Sequence, residues 1–362
     1  MTVSVDTGPL DILRRLLEQP TAPFHEVRVL TVIGAILNHW GIPFRSDRHG
    51  NLIARYQNGR GPRWALMAHT DHPGVEITGV RGGTAHGTFL GGVRPDSLPG
   101  ARVRLFCGDD AQGQPATITA TRMVGGEKRV TIALERPGSV SPGAFGTFDL
   151  GAPTVNEKTV AAIAVDDLIG CATALSVLAW LKSSGARARV WGVFTRAEEV
   201  GFAGAQLLAE AGTLPRDTLV VSLEASKEMA GARQGMGPVI RVGDRTSTFN
   251  GDAEYRLHGA AKKLAEANSD FRFQRQLMSG GTCEATVFAA LGYPAVGLAY
   301  PLVNYHNMID DGGIAREQVA TADYLGGVDL LETAVTAPAG DSLAGYYRRL
   351  TRATARYRKR LS

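Results

Sequence analysis

Apolar residues recur at helical spacing over Leu10 to Leu17 and Val27 to Trp40, and Gly41 stands where a helix C-cap belongs. The spacing predicts two helices, then a turn near Asp47 to Gly50, a strand at NLIARY and a fully apolar strand at WALMAH, Trp64 to His69. From about Val75 to Phe148 the helical period disappears. Short β-rich pieces (VEITGV, ARVRLFC, ATITATR, RVTIAL) alternate with glycine-rich turns, which predicts a small all-β module inserted into an α/β protein. From Val160 strand and helix alternate again: a helix over Leu168 to Leu181, the strand VWGVF, a helix around Gly204 to Ala211, the strand TLVVSLE, a helix near Ala253 to Ala267, the strand AVGLAY and a last helix from about Ala322 to Ala334. Apolar strands separated by helices predict a mostly parallel sheet with helices on both faces. The domain reading is therefore an α/β domain built from residues 1–73 and 160–362, with a β domain at 74–159 inserted into it.

Composition narrows the picture only a little. A chain of 362 residues with 44% hydrophobic and 20% charged content has the material for a sizeable soluble core. The net charge of +4 is concentrated in the tail YYRRLTRATARYRKRLS, Tyr346 to Ser362, which reads as a solvated terminal helix or a frayed end. No aromatic-lined basic groove is evident in the sequence, so nucleic acid is not an expected partner. The three cysteines, Cys107, Cys171 and Cys283, are widely spaced and form no Cys-x-x-Cys pair, which argues for a reducing compartment and against a thiolate zinc site. The N-terminal stretch lacks the pattern of a signal peptide, and no apolar window is long enough to span a bilayer. The expected location is the cytoplasm, with no membrane partner.

The polar residues fall at one kind of place. WALMAH ends in His69 with Asp71 two residues on, AAIAV is followed by Asp166 and Asp167, VWGVF leads into Glu198 and Glu199, VVSL ends in Glu224, and AVGLAY runs into a loop holding His306. In an open α/β sheet ligands bind outside the carboxyl ends of the strands, so these five segments converge on one crevice. Taken singly, Glu198 and Glu199 read as a surface turn and Asp166 and Asp167 as helix N-cap acids. Together, two histidines and several carboxylates without cysteine form a donor set for zinc, cobalt or manganese, and a carboxylate between two ions is the usual core of a two-metal hydrolytic site. Residues two apart on an extended segment face the same way, so Asp71 is placed to hold the His69 imidazole. Neighbouring glutamates point apart, leaving one as a metal ligand and the other as general base. Cys283 lacks an orienting third group for nucleophilic work, and His72 reads as a pocket-lining or surface histidine.

At these residues the chain resembles the di-zinc aminopeptidases of the tetrahedral and glutamyl aminopeptidase family. PTAPFHE, DRHGNLIA, AHTDHPG, VDDLIGCATAL, TRAEEVGFAGA, GMGPVIR, SGGTCEA and NYHNM follow in order over most of the chain, and the β insertion after His69 sits where that family carries its inserted domain. The resemblance implies two ions, bridged by Asp166. His69 and Glu224 would complete one and Glu199 and His306 the other, with Glu198 as general base, Asp71 orienting His69 and a cis peptide after Asp166. It implies peptide substrates cut at the N-terminus, an inserted domain that serves in dimerisation or gating, and a homo-oligomer, a dimer or dodecamer. Two departures stand out. The family's aminopeptidases usually have Asp where Glu224 stands, whereas related carboxypeptidases and amidohydrolases of the same clan often have Glu, which leaves a related amidohydrolase, deacylase or carboxypeptidase acting on small N-acyl substrates as the alternative. GGTCEA also replaces the more usual Gly-Gly-Thr-Asp-Ala.

Overall fold

The computed structural model describes residues 8–108 and 110–361. Helices α1 (Pro9–Leu17) and α2 (Val27–His39) each bury one face, with Leu13 and Leu16 of the first and Ile33 and Leu37 of the second inside the main core. Strands β1 (Phe44–Ser46), β2 (Leu52–Asn58) and β3 (Trp64–His69) follow, and all six residues of β3 are buried. The β-rich texture after them becomes a closed barrel of β4 (Gly74–Arg81), β5 (Thr84–Leu90), β6 (Arg102–Phe106), β7 (Gln114–Val124), β8 (Glu127–Leu134) and β9 (Phe145–Phe148). The barrel has its own core, Val75, Phe89, Val103, Ile118 and Phe148 among others.

Two short strands, β10 (Thr154–Val155) and β11 (Thr159–Ala162), lead into α3 (Val165–Ser184), β12 (Ala188–Thr195), α4 (Ala203–Glu210), β13 (Leu219–Lys227) and β14 (Val239–Asp244). The remainder is α5 (Gly251–Ala267), β15 (Gln274–Met278), α6 (Glu284–Ala290), β16 (Ala295–Leu302), β17 (Glu317–Ala320), α7 (Thr321–Thr336) and α8 (Leu343–Thr354). Among the described residues the main sheet has eight strands in the order β1-β2-β12-β3-β13-β16-β14-β15. Its centre, β12-β3-β13-β16, is parallel, while β2 joins β12 and β14 joins β16 in the antiparallel sense, so the sheet is mixed. β15 escapes the apolar pattern because this edge strand, QRQLM, is polar and half exposed. The parallel centre matters for function, because it puts the C-terminal ends of β3, β12, β13 and β16 on one side of the molecule.

Helix α3 packs against β3, β12 and β13 and is almost wholly buried. Its first two acids have non-helical dihedral angles, so the regular helix starts at Leu168, where the apolar spacing places it. The peptide between Asp166 and Asp167 is cis. The tail forms a helix: Ser342 caps α8, whose flank Tyr346 and Tyr347 remain exposed.

Candidate metal centre

His69 ends β3, and Thr70 extends the pairing with β12 by one more backbone bond, its N–H donating to the Thr195 carbonyl at 2.9 Å. That rung sets the turns on both strands level. Asp71 is fully buried, and its two carboxylate oxygens accept the backbone N–H groups of Glu198 and Glu199 at 3.0 and 3.1 Å. One carboxylate thereby holds the whole Glu-Glu turn. The His69 ring donates through Nδ1 to the Asp71 main-chain carbonyl at 3.1 Å, with the Asp71 carboxylate at 3.5 Å. The two adjacent glutamates do point apart: Glu198 lies 3.9 Å from His69 Nε2, and Glu199 lies 3.0 Å from His306 Nε2.

Asp166 sits between them. Its Oδ1 is 3.4 Å from His69 Nε2 and its Oδ2 is 3.8 Å from His306 Nε2. Asp167 turns away and accepts the Gly170 N–H at 3.2 Å, the helix-capping role that an acid in a first turn ordinarily fills. Glu224 lies within β13 rather than at its end, buried, and accepts the Ser222 hydroxyl at 3.1 Å. His306 stands in a short turn at φ 55°, flanked by Asn304 and Asn307, which are also left-handed. Three donor groups result, each with its ligand atoms within 4.8 Å of one another: His69, Asp166 and Glu224; Asp166, Glu199 and His306; and His69, Glu198 and Glu199.

The electrostatics show what this crowd of acids lacks. Burial first, then the neighbouring Glu199 and Glu224, push the Glu198 carboxyl well above the usual carboxylate range against the pull of His69. Burial raises Glu224 to about 8. Burial works against a charged His69, yet Glu198, Asp166 and Asp71 outweigh it and hold the ring well above its ordinary value. Asp166 Oδ1, Glu199 Oε1 and His306 Nδ1 are buried without a hydrogen-bond partner. Desolvated carboxylates that face one another need compensating cations, and this donor set, imidazole nitrogens with carboxylate oxygens, suits divalent transition metals.

Further residues hold the site in place, and sequence reasoning did not single them out. Glu317, fully buried on β17, accepts the N–H of Asp166 through one oxygen and that of His306 through the other, each at 2.9 Å. Glu26, inside the PTAPFHE motif, accepts the Ala197 N–H at 3.0 Å and pairs with Arg196 at 2.7 Å, supporting the glutamate turn from behind. His72 is neither at the surface nor lining the pocket. It is fully buried, with Nδ1 2.7 Å from the Asp166 carbonyl and Nε2 2.9 Å from the Asn307 side-chain oxygen. Cys283 is buried, and desolvation pushes its thiol up to about 12, which disposes of a nucleophilic role. The barrel also reaches the site, because a Cβ on Gly92 would lie 2.7 Å from His306 Cε1.

A pocket of about 120 Å³ opens beside His69, Asp166, Glu198 and Glu224 and is closed by Met229, Met278, Tyr305 and Arg241. Arg241 is 3% exposed, donates to the Ser226 hydroxyl at 3.2 Å and the Gly281 carbonyl at 3.0 Å, and leaves its Nε buried without an acceptor.

A mixed α/β sheet with an acid-rich donor cluster at its strand ends and an inserted barrel defines a metal-dependent exopeptidase. The family model for M42 glutamyl aminopeptidase matches residues 134–315, half of the chain, and the protein belongs to that family. It is a metallo-aminopeptidase, removing N-terminal residues from peptides. The fold is that of several archaeal enzymes. A TET aminopeptidase from a marine sediment Thaumarchaeota archaeon superposes with a TM-score of 0.77 at 19% identity, covering 91% of this chain and 96% of the other. The TET1 peptidase of Pyrococcus horikoshii, which can assemble into a tetrahedron or a large octahedral shell, gives 0.74 at 22% identity over 91% and 99% of the two chains. An aminopeptidase from Desulfurococcus kamchatkensis gives 0.75 at 18% over 91% and 94%.

Proposed function

We propose that the aminopeptidase works with two divalent ions, zinc in the first instance, held by His69, Asp166 and Glu224 on one side and by Asp166, Glu199 and His306 on the other. The observation that carries this reading is Asp166, whose two oxygens face one histidine each, at 3.4 and 3.8 Å. Cobalt and manganese suit the same donors. When bound, such ions polarise the scissile carbonyl and acidify water. Glu198, outside both ligand trios, takes the proton of the attacking water and passes it to the departing amine. Asp71 keeps that base and the ligand Glu199 in fixed relation by holding both their N–H groups. Glu317 does the same for Asp166 and His306 from the opposite side.

Arg241, the buried cation of the adjoining pocket, supports an acidic side chain at the peptide N-terminus, in keeping with the glutamyl description of the family. Residues 74–159 act as an inserted domain, and Gly92 against His306 supports a gating part for it. The protein works as a homo-oligomer, as its TET relatives do, and its three free cysteines are in keeping with a cytoplasmic setting. The test compares wild type and Glu198→Gln, loaded with Zn, Co or Mn, on unblocked and N-acetylated peptides, following products by mass. The expected outcome is metal-dependent release of N-terminal residues from unblocked peptides only, reduced about 10²- to 10⁴-fold in the variant with metal content unchanged. A variant as active as wild type would remove Glu198 from the role.

A further inference from the structure

The opposite end of β12 carries a second cluster of like charge. Register places Trp191 against Arg55 and Arg189 against Gln57, and it places Arg45 of β1 against Ile53, so Arg45, Arg55, Arg189 and Trp191 stand on one face of the sheet. With Phe44 and Arg63 they line an open groove of about 550 Å³. None of the residues described along its walls carries a carboxylate. Arg63 reaches Asp217, whose carboxylate lies 67% exposed outside the groove. Arg45 makes no hydrogen bond or ion pair among the described residues. Arg55 lies over the Trp191 ring, 5.4 Å from its centroid. Arg189 reaches only the Gly61 carbonyl at 3.3 Å and leaves its Nε buried without an acceptor.

Four guanidinium groups around one concavity focus positive potential there, and an anion shared between them gains from all four. The planar fork of arginine fits phosphate oxygens two at a time, and the groove has the volume of a small-ligand site, confined to one patch rather than running as a track for a strand of nucleic acid. We propose that this groove binds a compact oligophosphate anion, with the phosphate chain lying among Arg45, Arg63 and Arg189. Because β12 and β3 run parallel, the groove is at the far end of the strands from Glu198 and is independent of the metal centre.

Equilibrium dialysis of the metal-loaded protein against labelled pyrophosphate, and separately labelled ATP, tests this. The expected result is one anion bound per chain at low salt, weakened at least about tenfold in Arg45→Ala and again in Arg189→Ala, and weakened by added salt. Arg45 is exposed, so its replacement keeps the test valid if Arg189→Ala fails to fold. Peptidase activity of Arg45→Ala stays at the wild-type level. Equal binding of pyrophosphate and ATP shows that the phosphate chain alone is recognised, whereas tighter ATP binding assigns the site to a nucleotide. No binding overturns the proposal. So does binding indifferent to the arginines but lost on metal removal, which places the anion at the metal centre. A change in assembly size in Arg45→Ala without anion binding also overturns it and makes the groove a contact between copies.

Discussion

The two ends of β12 crowd like charges on opposite terms. At its C-terminal end the side chains of Asp166 and Glu224 are buried beside His69 and those of Asp166 and Glu199 beside His306, and at its N-terminal end Arg45 and Arg55 are open to water. Water screens the arginines, so that cluster stands without a ligand. At the carboxylate end burial has stripped water away, and it pushes the carboxyls of Glu198 and Glu224 up, Glu224 to about 8, in the absence of compensating cations. Crowding of one sign therefore demands a partner in proportion to how completely the groups are desolvated.

Removing metal should break the contrast most completely. Activity should vanish on chelation and return with zinc. Without metal, Glu198 lies well above, and Glu224 at about 8 lies above, the unfolded carboxyl value of 4.5. Folded protein then binds more protons than unfolded protein between about pH 4.5 and 8, so stability present at the acid end falls as pH rises. Melting temperatures of chelated protein should drop from pH 5 to 8, while those of the metal-loaded form should hold. A flat profile after chelation would mean these acids do not sit in the desolvated state described.

Glu317→Gln sharpens the contrast next. It removes a buried negative charge, yet it presents an NH₂ group to one of two backbone N–H donors, so metal affinity should fall about 10- to 100-fold while circular dichroism stays native. Full metal retention in competition with a chromophoric chelator would count against a positioning role. The smallest effect is expected from Arg241→Leu, which takes the buried cation from the acidic end. Cleavage of peptides beginning with Glu should fall about tenfold relative to those beginning with Leu, read as the ratio of their kcat/KM values. An unchanged ratio would separate Arg241 from substrate selection.

Much of the site was legible because strand and chemistry share a local signature. WALMAH followed by His69 and Asp71, or VWGVF followed by Glu198 and Glu199, announces a buried strand and the polar residues beyond its end in one reading. Glu317 and Glu26 give no such signal. Each is a carboxylate whose partners lie elsewhere in the chain, 151 residues away in the case of Glu317 and Asp166, and nothing local distinguishes it from a surface acid. His72 was misplaced for the same reason: Pro73 and Gly74 suggested a turn toward solvent, but the turn is covered by the His306 loop. In the fold, the mostly parallel sheet was legible, while the antiparallel sense in which β2 and β14 join it was not, because a strand's apolar pattern carries no direction, and the polar edge strand β15 is not marked by that pattern at all.

Gly92 gives the barrel a condition of exchange. Any other side chain at that position starts with a Cβ 2.7 Å from a histidine of the metal centre. A barrel transplanted from a homologue would thus have to bring a residue without a side chain to this one spot, whatever else it changed. In a protein engineer's hands the insertion has several contacts to match, Arg94 with the Met308–Ile309 turn among them, but the one at Gly92 tolerates no side chain at all.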